Sequence, residues 1–218
     1  MSFSKEELRS AMLLYAVTDR AWLKEGQSLS QVCSRVLEKG ASFLQVREKD
    51  IDPQDFRREA LELKELCARH RVPFVVNDSI ELALEIDADG AHMGQSDIKG
   101  RDLRAMLGPD KILGISAGTV AEAIAAEAAG ADYIGVGAVF PTSTKKDARG
   151  LSPQALKEIS QAVSIPVVAI GGINEKNILS LKGSHVDGVA VVSAIFAAED
   201  PGEATERLLE LSREMVNA

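Results

Sequence analysis

Aromatic side chains are scarce in this chain: 1 Trp, 2 Tyr and 6 Phe make up 4% of it. That argues against a surface that binds nucleic acid by stacking bases. No basic run occurs either. Lys and Arg number 25 against 33 Asp and Glu, a formal charge of −8, so neither nucleic acid nor an anionic membrane is an expected partner. A local site can still differ in sign from the whole, and anionic small molecules stay open as ligands. No apolar run approaches the roughly 18 residues that a bilayer span needs. The opening MSFSKEELRS is charged and lacks an apolar core, so no signal peptide is expected. Cysteine is limited to Cys33 and Cys67, with no CxxC pair, which reads as two buried, reduced thiols in a cytoplasmic protein. No Ser-His-Asp or Cys-His arrangement stands out.

What the sequence does contain is repetition of one pattern. Short β-branched apolar runs occur at 13–19, 42–48, 73–78, 90–94, 112–117, 133–140, 166–173 and 188–195. Runs of this kind suit parallel strands buried on both faces. The segments between them read as helices. Ser30 to Lys39 puts Val32, Val36 and Leu37 on one face, and Pro53 to His70 does the same with Phe56, Ala60, Leu63, Leu66 and Cys67. Thr119 reads as a helix cap, and Ser152-Pro153 as a cap followed by a first-turn proline. Gly40 and Gly130 fall where helices should stop. Eight β-then-α units in 218 residues predict one closed (β/α)8 TIM barrel of the α/β class, a single domain over 1–218. An open doubly wound sheet is the alternative. The residues before Leu13 predict a short N-terminal helix covering the barrel bottom or one edge.

In such a barrel the chemistry sits at the C-terminal ends of the strands, and that is where polar residues and glycines collect. Gln45, Arg47 and Lys49 stand at period two, so an extended strand projects them to one side. Cations pointing into a barrel mouth call for an anion, unless Glu48, Asp50 or Asp52 pairs with them at the rim. Asp78 and Asp97 lie at or just beyond the ends of consecutive strands, where two carboxylates can share a hard cation such as Mg²⁺. The plainer roles are a helix cap for Asp78 and a turn for Asp97. The loop 141–146 carries three hydroxyls and two ammonium groups and could bind phosphate. Gly171-Gly172, with Val192 and Ser193 after the last strand, suits a backbone cup for a phosphate, or a plain tight turn. Two anion sites imply two phosphorylated substrates.

The strings YAVTD (15–19), QVREKD (45–50), VND (76–78), GAHMGQSD (90–97), GIS (114–116), GVGAVFPTSTKKD (135–147), AIGGI (169–173) and VAVVSAI (189–195) occur in that order. With them the chain resembles the thiamine-phosphate synthases from about Leu14 to Leu209. The resemblance implies condensation of hydroxymethylpyrimidine diphosphate with a thiazole phosphate, or its carboxylated form, releasing pyrophosphate by a Mg²⁺-assisted dissociative substitution. It implies that Gln45, Arg47, Lys49, Asn77, Ser116 and Lys145 bind the pyrimidine diphosphate. Of these, Arg47, Lys49, Ser116 and Lys145 would act in catalysis. Asp78 and Asp97 would hold Mg²⁺. Thr142, Ser143, Thr144, Gly172, Val192 and Ser193 would bind the thiazole phosphate. The implied partners are these two small molecules, with no nucleic acid and no membrane, and with homo-oligomerisation left open. The chain departs from the family pattern at Gly118, where His or Asn is common. His92 belongs to the pattern and suits a structural histidine better than a catalytic one. A thiazole tautomerase and a non-catalytic phosphate sensor are the rival readings.

Overall fold

A computed structural model describes residues 3–48, 51–98, 100–142 and 150–217. Its strands are β1 Leu14–Val17, β2 Phe43–Val46, β3 Phe74–Asn77, β4 Gly90–Met93, β5 Ile112–Ala117, β6 Tyr133–Gly137, β7 Val167–Ile170 and β8 Gly188–Val191. Each pairs in parallel with its neighbours in chain order, and β8 closes on β1 with Leu14 opposite Val189. The predicted TIM barrel is therefore the observed one.

The helices are α1 Lys5–Ala11, α2 Leu29–Glu38, α3 Pro53–His70, α4 Ile80–Glu85, α5 Gln95–Ile98, α6 Leu103–Leu107, α7 Val120–Ala128, α8 Pro153–Gln161, α9 Ser193–Phe196 and α10 Pro201–Val216. Their limits follow local chemistry. Ser28, Asp52, Thr119 and Ser152 each accept a backbone N–H of the first turn of α2, α3, α7 and α8. Gly40 and Gly130 follow α2 and α7 at φ of +101° and +83°, the left-handed stop that glycine adopts without strain. After β7 a 3-10 segment, Ile178–Leu181, stands where an outer helix would be.

Strand residues sort by parity into two apolar layers. Leu14, Leu44, Phe74, Ile134 and Val189 face the helices, in a layer that also takes in Cys33 and Cys67. Both thiols are free and buried, as expected. Tyr15, Phe43, Val75, Ile112, Tyr133 and Val168 point inward and pack with Leu8 and Met12 at the end of α1. The N-terminal helix thus plugs the bottom of the barrel, and the inner core fills its lower half. Among the described residues no helix is long and apolar enough to cross a membrane.

Close strand contact makes one position intolerant. A Cβ at Gly90 would stand 1.9 Å from the carbonyl oxygen of Ile112. Gly90→Ala should destabilise the fold by about 3 kcal/mol, since backbone must move. Urea denaturation checks this, and a loss below roughly 1 kcal/mol would show that β4 and β5 can separate without cost.

Candidate active site

Above the inner core the barrel opens into a cavity of about 560 Å³ at the C-terminal ends of the strands. Its wall includes Gln45, Arg47, Asn77, Ser116, Thr142 and Gly172, and also Val192 and Ser193. Polar residues from strand ends far apart in sequence therefore meet in one space.

Gln45 is the last inward residue of β2 and is buried. Arg47 follows just past the strand and lines the same cavity, as period two predicts. Arg47 makes no salt bridge with another described residue. Glu48 turns instead to Thr18, whose hydroxyl donates to it at 2.7 Å, and to the Arg20 N–H at 3.3 Å. Asp52 caps α3. Two of the three acidic neighbours that could have paired with Arg47 are thus engaged elsewhere, and the third, Asp50, lies outside the described residues. Lys49 lies outside them too.

Burial pushes the Glu48 carboxyl above its ordinary range, and the nearby Glu59 adds to this, against the opposing hydrogen bonds from Thr18 and Arg20. A carboxyl whose folded pKa is raised is favourable while protonated, and that stability is lost as pH rises through the folded value. Glu48→Gln should therefore raise Tm at neutral pH, and the gain should vanish below roughly pH 4 where both forms are neutral. Tm curves of both proteins across this range are the check; a gain independent of pH would assign it to something other than charge.

Asp78 leaves β3 in a left-handed turn at φ 58°, with its N–H donated to the His92 carbonyl at 2.9 Å. It is not a helix cap, because Ser79 caps α4. Asp97 lies in α5 rather than at the strand end, and its Oδ2 accepts the Gly94 N–H at 2.9 Å. The turn role is real, but it leaves Asp97 facing Asp78. Partial burial and then the charge of Asp97 raise the Asp78 carboxyl above its usual range, while Asn77 and Arg47 oppose this. Asn77 does so by donating to Asp78 at 2.7 Å. A Cβ at Gly94 would come 2.9 Å from Asp97 Oδ2 and 4.0 Å from Asp78 Oδ1. The bare glycine keeps that space between the carboxylates open. Among the described residues no group of three or more His, Cys, Asp or Glu could hold a metal. A two-carboxylate oxygen set suits a cation that keeps most of its shell for water or phosphate, as Mg²⁺ does.

On the neighbouring strand β5, Ser116 is tethered by His92, whose Nε2 is 3.0 Å from the serine Oγ. His92 is buried, and its other ring nitrogen lies 2.9 Å from the Tyr133 hydroxyl. Gly118 leaves ordinary room for a side chain: its missing Cβ would lie 3.5 Å from Glu122 Oε2. That carboxylate accepts the Gly118 N–H at 2.7 Å and lines the cavity. Glu122 was legible only as a first-turn residue behind Thr119. Gln95, which donates to the Ser116 carbonyl at 2.6 Å, and Tyr15 also line the cavity. For Tyr15 the available signal was its inward parity on β1.

Gly171 and Gly172 both have positive φ, +101° and +67°. A Cβ at Gly172 would meet the Pro141 carbonyl oxygen at 2.4 Å, so glycine is required here by packing as well as by turn geometry. The Gly172 carbonyl is held by the Asn174 and Asn177 amides. Val192 and Ser193 begin α9 beside it, where the first backbone N–H groups have no partner inside the helix. Thr142 stands on the same cavity. Ser143, Thr144 and Lys145 lie outside the described residues.

A closed parallel barrel with a cavity at its C-terminal mouth places the chain in the TIM-barrel class, whose enzymes carry their active sites at that end. A family model described as thiamine monophosphate synthase matches residues 14–195. The thiamine-phosphate synthase of Clostridium tetani is 45% identical over 195 residues, which is 89% of this chain and 93% of the relative. That of Clostridium novyi is 47% identical over 199 residues, 91% and 97% of the two chains. The solved thiamine phosphate pyrophosphorylase of Pyrococcus furiosus superposes with a TM-score of 0.87 at 37% identity, covering 96% of this chain and 99% of that one. The chain belongs to the thiamine monophosphate synthase family.

Proposed function

We infer that this chain is a thiamine-phosphate synthase, a transferase. Its substrates are 4-amino-2-methyl-5-(diphosphooxymethyl)pyrimidine and 4-methyl-5-(2-phosphoethyl)thiazole or its carboxylated form. Its products are thiamine phosphate and pyrophosphate, with carbon dioxide released as well when the carboxylated thiazole is used. The family relationship supports this, and one geometric observation carries it. The Asp78 and Asp97 carboxylates face each other beside Asn77 and Arg47, and these last two line a cavity whose wall also includes Ser116 and the glycine cup.

In this reading Asp78 and Asp97 hold Mg²⁺, which when bound supplies Lewis-acid stabilisation to diphosphate oxygens. Arg47, Lys49 and Lys145 stabilise the charge that grows on the departing pyrophosphate. Gln45, Asn77 and Ser116 hold the pyrimidine. The carbon–oxygen bond to diphosphate breaks first, with its electron pair leaving on oxygen, and the electron-rich aminopyrimidine carries the resulting methylene cation. Thr142, Ser143, Thr144, Gly172, Val192 and Ser193 anchor the thiazole by its phosphate, so that its ring nitrogen meets that carbon at attack distance. That nitrogen has no proton to lose, so no general base is needed. Residues 1–218 act as one catalytic barrel domain, and a cytoplasmic location agrees with two reduced, buried thiols.

The test is incubation with both substrates and Mg²⁺. Thiamine phosphate, read by fluorescence after oxidation, and pyrophosphate should form in equal amounts. Isomerisation of the carboxylated thiazole without pyrophosphate would make the protein a tautomerase. Binding without turnover would make it a sensor.

A further inference from the structure

Gln45 on β2 and Ser116 on β5 face the cavity from different strands, and an unbroken line of hydrogen bonds joins them along its floor. Gln45 Nε2 donates to the Tyr15 hydroxyl at 2.6 Å. The Tyr15 and Tyr133 hydroxyls are 2.7 Å apart. The Tyr133 hydroxyl lies 2.9 Å from His92 Nδ1, and His92 Nε2 lies 3.0 Å from Ser116 Oγ. Tyr15 is 1% exposed and Tyr133 not at all. Glycines clear the path. A Cβ at Gly114 would stand 2.2 Å from Tyr133 Cζ and 2.5 Å from His92 Nδ1, and one at Gly135 would stand 3.2 Å from His92 Cε1.

The line has a direction. An amide N–H can only donate, so Tyr15 accepts from Gln45. Among the described residues the other hydrogen-bond partner of the Tyr15 hydroxyl is the Tyr133 oxygen, and the Tyr15 proton goes there. The Tyr133 proton then goes to His92 Nδ1, the His92 proton sits on Nε2 and points to Ser116 Oγ, and the serine proton is left to turn outward. The reverse order would make Tyr15 accept twice and strand its own proton in a buried site, at the full desolvation cost of that group. Burial raises both phenols above their ordinary range, so both keep their protons at neutral pH.

We propose that Tyr15, Tyr133 and His92 are positioning residues whose one-way hydrogen-bond chain fixes His92 as the Nε2–H tautomer and presents the Ser116 hydroxyl as a donor to a lone-pair acceptor on the substrate. That Ser116 serves the reaction rests on the function inferred above; the direction of the chain does not.

The chain has 3 histidines, so ring-nitrogen NMR of the ¹⁵N-labelled full-length protein resolves His92, assigned by its absence in His92→Gln. The expected result is a protonated Nε2 and an accepting Nδ1. A proton on Nδ1 would overturn the proposal. Tyr133→Phe should disturb the Nδ1 signal and lower kcat/KM about tenfold, and Tyr15→Phe should act in the same direction. Phe43 packs on Tyr15 and Tyr133 at ring centroid distances of 4.3 and 5.5 Å, without a hydrogen bond. Phe43→Leu should therefore lower Tm while kcat/KM stays within about twofold. An unchanged kcat/KM in Tyr133→Phe, or an equal loss in Phe43→Leu, would reduce the tyrosines to packing. If the wild type forms no thiamine phosphate, the inferred function fails, and the tautomer measurement still decides the direction of the chain.

Discussion

Asp97→Asn and Asp78→Asn should each lower Mg²⁺-dependent turnover by about a thousandfold, roughly 4 kcal/mol of transition-state stabilisation. Asparagine is the informative replacement. Asp97 also accepts the Gly94 N–H at 2.9 Å, and an amide oxygen can still do so, so the turn survives while the charge is removed. Asp78 ionises unfavourably in the free protein, because it is partly buried beside another carboxylate. Its neutral replacement should therefore fold as well as the wild type or better in the absence of metal. A folded, inactive protein whose remaining rate no longer responds to Mg²⁺ is the expected pattern. Full turnover in both variants would remove the metal assignment altogether. An inactive variant that has also lost stability would point to the turn at Gly94 instead.

The barrel was legible because eight buried parallel strands leave eight short apolar runs, and buried runs survive in sequence as plain composition. The site was legible in part for a related reason. Strand ends are fixed by those runs, so Gln45, Arg47, Asn77, Asp78 and Ser116 could be placed at one mouth. Two things were not legible. Helix length is set by tertiary packing, so nothing in the sequence showed that the segment after β7 would be a 3-10 turn over Ile178–Leu181. The second is the line of hydrogen bonds along the cavity floor. Tyr15 and Tyr133 read as apolar strand residues, because their ring area counts toward the core while their hydroxyls meet only after the barrel closes. His92 reads as a satisfied histidine, and it is one: both ring nitrogens are engaged. Satisfaction and function are not alternatives at this position, since the partner that satisfies Nε2 is itself a cavity residue.

Arg47→Ala should lower kcat by about two to three orders of magnitude, a larger effect than on KM for the thiazole phosphate. The guanidinium lines the cavity and makes no salt bridge among the described residues, while its charge reaches Asp78. A partly buried cation with no salt bridge among the described residues is better satisfied once an anion arrives. The anion in question gains charge as its bond to carbon breaks, so the interaction strengthens along the reaction and should appear in kcat. Arg47→Lys separates charge from shape. An ammonium restores the charge but not the planar pair of donors, so it should recover part of the lost rate. Recovery to the wild-type rate would show that charge alone suffices. A loss confined to the KM of the pyrimidine substrate would make Arg47 a ground-state anchor and leave the departing pyrophosphate to be stabilised by other groups.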